Sequence, residues 1–163
     1  MNLPRVLVGA FVVGAIAWLV RRYGPLQRFE IAETSMTPSL RPGDYVVTIR
    51  RRPRRGAIVV YPHPHRQGFY LTKRVVGLPG ERVSIREGGL VLIDGIPLAE
   101  PWAHHHQGPE GDWIVPPAHV FVMGDHRHHS RADSRFLGPV PMRDLDHILL
   151  RYRPLIRVPA APS

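Results

Sequence analysis

Apolar residues are unevenly spread along this chain. Residues 6–20 (VLVGAFVVGAIAWLV) form an unbroken apolar run, with Arg5 before it and Arg21-Arg22 after it. As a helix rising about 1.5 Å per residue the run spans roughly 22 Å, short of a ~30 Å hydrocarbon core unless Arg5 snorkels and adds Leu3 and Pro4. Three readings are open: a membrane anchor over residues 1–22, a cleaved leader, or a buried helix. Ala15-Ile16-Ala17 has the small-x-small pattern of a cleavage site, but bulky Trp18 and more apolar and basic residues follow at once, which favours the anchor.

Gly24-Pro25 ends the run, and the pattern then becomes that of short strands broken by turns. Strands are predicted over residues 29–32, 45–50, 57–61, 70–76, 82–86, 90–93, 119–123 and 148–152. Asp94-Gly95 between two apolar runs predicts a two-residue hairpin. No amphipathic stretch of helical period interrupts the strands, so a parallel sheet with crossover helices is not expected and a mainly β, antiparallel domain is expected over residues 23–157. The Pro/Ala-rich stretch 158–163 is expected to fray.

The chain has 163 residues, of which 44% are apolar, enough to build one core. It has no cysteine, which excludes disulfides, thiolate metal sites and a cysteine nucleophile. Its formal net charge is +9, from 22 basic and 13 acidic side chains. Arg50, Arg51, Arg52, Arg54 and Arg55 crowd one predicted turn. No helix-turn-helix, finger or stacking pattern accompanies them, so no nucleic-acid partner is expected. Anionic lipid headgroups and a merely solvated turn both stay open. His104-His105-His106 and His126-x-His128-His129 lack acidic or cysteine partners at ligand spacing, so no metal and no cofactor is expected.

Of the 22 basic side chains only Lys73 is a lysine. Arginine keeps its proton inside proteins, whereas an apolar setting can strip a lysine of its charge near neutral pH. Strand alternation puts Lys73 on one face with Leu71 and Val75. A neutral lysine can serve as a general base, and a surface lysine retained by chance is the alternative. Such a base needs a nucleophile. Ser35, in Glu33-Thr34-Ser35-Met36-Thr37-Pro38-Ser39-Leu40, follows the first predicted strand, although an ordinary polar turn would read the same way.

The two segments together are recognisable. Ser35-Met36-Thr37-Pro38-Ser39-Leu40 resembles the nucleophile box of type I signal peptidases, and Lys73-Arg74-Val75-Val76-Gly77-Leu78-Pro79-Gly80-Glu81 resembles their general-base box. Arg55-Gly56-Ala57-Ile58-Val59-Val60-Tyr61, the hairpin around Asp94-Gly95, and Gly124-Asp125 through Asp133-Ser134-Arg135 resemble further boxes of that family, in the same order. The resemblance implies a barrel-like antiparallel fold behind an N-terminal transmembrane helix. It implies a single-pass protein of the cell membrane whose domain, on the outer face, removes signal peptides from precursor proteins.

By the same resemblance Ser35 attacks and Lys73 is its base. Ser130 orients the lysine, with Ser134 as fallback, and Asp125, Asp133 and Arg135 hold the loop by ion pairing. Ile31, Ala32 and Leu40 line shallow pockets for small side chains. The chain departs from the family pattern at Glu33, whose carboxylate cannot donate to an oxyanion, at His126, and in one extra residue between Ser130 and Asp133. The competing readings are a cytoplasmic self-cleaving repressor of the serine–lysine type, for which residues 1–28 are too short and apolar to hold a DNA-binding domain, and a non-catalytic basic module at a membrane surface.

Overall fold

The computed structural model describes residues 24–104 and 108–153, together with 14, 15, 17, 18, 20 and 21. The last six are helical and exposed. The rest of the expected anchor, and the 158–163 tail, lie outside the described residues. Among the described residues no helix is long and apolar enough to cross a membrane.

Eleven strands follow: β1 (Gln27–Glu30), β2 (Tyr45–Ile49), β3 (Ile58–Pro62), β4 (Tyr70–Gly77), β5 (Arg82–Arg86), β6 (Leu90–Ile93), β7 (Ile96–Pro97), β8 (Gly111–Ile114), β9 (His119–Met123), β10 (Val140–Pro141) and β11 (Asp146–Tyr152). They build a seven-stranded sheet, β1-β2-β11-β3-β4-β9-β10, and a four-stranded one, β7-β6-β5-β8. Every strand pair is antiparallel. The mainly β antiparallel expectation therefore holds. The larger sheet curls, bringing the Phe29 ring of β1 to 4.8 Å from Tyr70 of β4, yet its edges β1 and β10 stay unpaired with each other, so it does not close into a barrel.

Several expected bounds change. The first strand ends at Glu30 rather than Ala32, because Ile31 leaves the ladder to bond with Asp44 and Gly43 through its backbone while its side chain enters the core. The last strand begins two residues earlier than expected, at Asp146. Strands β8 and β10 and the short helix α1 (Ser134–Leu137) were not anticipated, whereas β7 is the second arm of the hairpin expected at Asp94-Gly95; Asp133 caps α1 by accepting from the Arg135 N–H. The hairpin at Asp94-Gly95 is present, with positive φ at both residues, as a two-residue turn of this twist requires.

The larger sheet is covered on both faces, which is why its central strands read as continuous apolar runs. One face carries Val59, Tyr61, Leu71, Val75, Val120 and Val122. On the other, Val76, Phe121 and Met123 meet Val83, Ile85 and Val91 of the small sheet. Gly77 lets the sheets close on each other, since a Cβ there would lie 2.5 Å from Val83. A third cluster, Ile31, Met36, Leu40, Val46 and Val60, seats the turn that follows β1.

Candidate active site

That turn presents Ser35. Its base is closed where the Ile31 N–H donates to the Asp44 carbonyl and the Gly43 N–H to the Ile31 carbonyl, both at 2.8 Å. Met36 and Leu40 anchor it from below, 1% and 2% exposed. Arg74 donates to the Ser39 hydroxyl at 3.0 Å, and Arg151, from β11, donates to the Ser39 carbonyl. Buried Asp44 accepts from the Arg41 N–H at 2.8 Å and pairs with Arg151 and Arg153, each at 3.0 Å.

Lys73 projects from the middle of β4, on the face it shares with Leu71 and Val75. It is 1% exposed, and Ser35 is 4% exposed. The Lys73 Nζ lies 2.8 Å from the Ser35 Oγ and donates to the Thr72 carbonyl at 3.0 Å. Burial pushes the lysine pKa down from its ordinary value. Asp133, Glu33 and Asp125 pull the other way, but desolvation outweighs them and Arg135 adds to it. The Ser35 N–H has no hydrogen-bond partner among the described residues, while its carbonyl accepts from the His126 N–H at 3.0 Å.

The loop behind the pair is built on Asp133. Its carboxylate accepts from the Ser130 hydroxyl at 2.6 Å, from the Gly124 N–H at 3.2 Å and from Arg135 at 2.9 and 3.0 Å. Ser130 is thus engaged with Asp133, and among the described residues it makes no hydrogen bond to Lys73. The Ser134 hydroxyl accepts from the Val122 N–H at 2.8 Å, tying α1 to β9 rather than reaching the lysine. Asp125 takes a two-point grip from Arg74, at 2.8 and 2.6 Å. Gly124 is needed because a Cβ there would lie 2.4 Å from Ser130 and 2.7 Å from the Ser35 carbonyl oxygen.

Of the residues expected to line pockets, Ala32 is exposed, whereas Ile31 and Leu40 lie in the cluster beneath the turn. Glu33 is exposed, and Thr34 meets His129 at 3.3 Å. The Arg74 hub did not show in the residue pattern. Its guanidinium joins Ser39, Asp125 and the Gly56 carbonyl and lies 4.8 Å from the Trp102 ring centre. Nor did the buried Arg127–Glu100 pair show, because both rest on partners far apart in sequence. Arg55 leaves the expected basic patch: it donates to the Val76 carbonyl and pairs with Glu81 at 2.5 Å.

This antiparallel framework, with its buried serine and lysine, belongs to a hydrolase, and the comparisons specify which kind. The sequence model described as signal peptidase, peptidase S26, matches residues 5–147, and the chain belongs to that family. A signal peptidase I of Leptolyngbya laminosa is 35% identical over 93% of this chain and 79% of its own. A mitochondrial ATP-independent inner membrane protease subunit 1b of Arabidopsis thaliana is 33% identical over 77% of this chain and 63% of its own. The crystal structure of a signal peptidase I from Enterococcus faecalis superposes with a TM-score of 0.53 at 28% identity, covering 61% of this chain and 98% of that one.

Proposed function

We propose that this peptidase cuts signal peptides from precursor proteins by a Ser35–Lys73 dyad, from a domain tethered by residues 1–22 to the outer face of the cell membrane. The 2.8 Å contact between two buried groups, a lysine amine and a serine hydroxyl, carries the reading. A neutral Lys73 accepts the Ser35 proton as Oγ attacks the scissile carbonyl carbon. The resulting oxyanion meets the Ser35 N–H, a donor whose loss in such sites typically costs ~3 kcal/mol of barrier. The lysine ammonium then protonates the leaving amine, the C–N bond breaks and an ester to Ser35 remains. Water, deprotonated by the same lysine, hydrolyses that ester and frees the serine.

Glu33 supplies no side-chain donor to the oxyanion, so the backbone carries that task. Exposed Ala32 fits a shallow surface that admits only small side chains before the cut. The names of the relatives support the substrate class, and one of them is called an inner membrane protease. The test is processing of a signal-bearing precursor by the full chain in detergent. A precursor with alanine before the cleavage site is cleaved, and Ser35→Ala abolishes cleavage; equal cleavage by Ser35→Ala would refute the assignment.

A further inference from the structure

The turn between β2 and β3 is the strongly charged feature this chemistry leaves unused. Pro53 is buried and pins its middle to the domain, so Arg50, Arg51, Arg52 and Arg54 stand outward, exposed. Among the described residues the guanidinium groups of Arg51, Arg52 and Arg54 have no hydrogen bond or ion pair. Among the same residues the Arg50 guanidinium has only Asp146, at 4.0 Å. The surplus charge reaches the buried ring of His147, whose pKa is held down by burial and then by Arg51 and Arg54. A cluster so poorly compensated gains from an anion placed on it.

Its position selects the anion. The Gly24 N–H donates to the Val20 carbonyl at 2.8 Å, where the helical residues end, and a Cβ on Gly24 would lie 3.7 Å from that of Arg50. The turn therefore touches the point where the apolar run emerges. Trp18 and Val20 of that run are 60% and 48% exposed. An apolar span of roughly 22 Å draws the domain close to the bilayer, within the ~8 Å over which surface charge acts at physiological salt. Guanidinium groups match phosphate with paired donors, and no aromatic side chain interleaves the turn to stack on bases.

We infer that Arg50, Arg51, Arg52 and Arg54 form a docking surface for anionic phospholipid headgroups of the bilayer that holds the chain's own N-terminal segment. The inference rests on the anchored reading above. The full chain is reconstituted into vesicles of phosphatidylcholine, alone or with phosphatidylglycerol, and labelled with arginine-specific phenylglyoxal, read by mass spectrometry. Labelling of the four arginines is expected to slow about fivefold in the anionic vesicles and to recover at high salt. Equal labelling in both vesicles overturns the docking surface. Inorganic phosphate added to phosphatidylcholine vesicles is expected to protect nothing; protection equal to the lipid's would make the turn a free-anion site and overturn the proposal. Failure to float with either vesicle would instead overturn the anchoring on which it stands, and flotation with unchanged labelling would overturn the arginine turn alone.

Discussion

The Arg74–Asp125 pair joins the strand that bears Lys73 to the loop behind it, so breaking it tests how the site is held. Both side chains are largely buried, 11% and 1% exposed. Asp125→Leu leaves a guanidinium out of water with only the Gly56 carbonyl, the Ser39 hydroxyl and the Trp102 face as partners. Removing one member of a buried pair costs about 3–5 kcal/mol, and the partners left to Arg74 set the expectation at the lower end, about 3 kcal/mol. At roughly 3 °C per kcal/mol for a domain of this size, Tm falls by about 10 °C. Replacing both residues, as Arg74→Met with Asp125→Leu, removes both charges together and should cost at least ~2 kcal/mol less than the sum of the single changes. Thermal unfolding of the four proteins in detergent, followed by circular dichroism, closes the cycle. Strictly additive losses, or an Asp125→Leu protein as stable as the parent, would refute this account of the pair.

Other expectations follow from the same geometry. Cleavage should rise with pH until Lys73 has lost its proton and level off above its lowered pKa; a pH–rate profile flat from about 5 to 9 would count against a lysine base. The unfolded chain holds the Lys73 proton up to its ordinary value of 10.5 while the folded chain releases it lower, so this group makes stability rise with pH between the two. Lys73→Met should remove that slope and leave the protein at least as stable at neutral pH, measured by denaturant titration at several pH values. Gly124→Ala should lower stability by about 1–3 kcal/mol and depress cleavage, because its Cβ meets the Ser35 backbone and Ser130; an unimpaired variant would show that the loop yields freely.

Much of this architecture can be read from the sequence where strands are long and sides alternate. The Tyr70–Gly77 strand, with Leu71, Lys73 and Val75 buried on one face, is the plainest case. Strands β7 and β10 have two residues each and carry no period to detect, so β7 is legible only through its turn and β10 not at all. In β8, Gly111 lies under the Trp113 ring, where a Cβ would be 2.7 Å away, a fit that only the folded chain reveals. A lone lysine among arginines marked Lys73, since the chemistry needs what arginine cannot do. The same abundance hid Arg74 and Arg127, because nothing in an arginine-rich sequence separates a guanidinium buried against its partners from one facing water. Ser130 shows a further limit: its place in the loop matched the resemblance, but its hydroxyl is committed to Asp133 by a turn whose course the sequence does not fix.

The account turns on a lysine that gives up its proton. Lys73→Arg keeps the positive charge and removes the ability to deprotonate. Cleavage of a signal-bearing precursor by this variant, in detergent, with its fold checked by circular dichroism, should fall to background at every pH. Near-normal cleavage by Lys73→Arg would contradict the dyad.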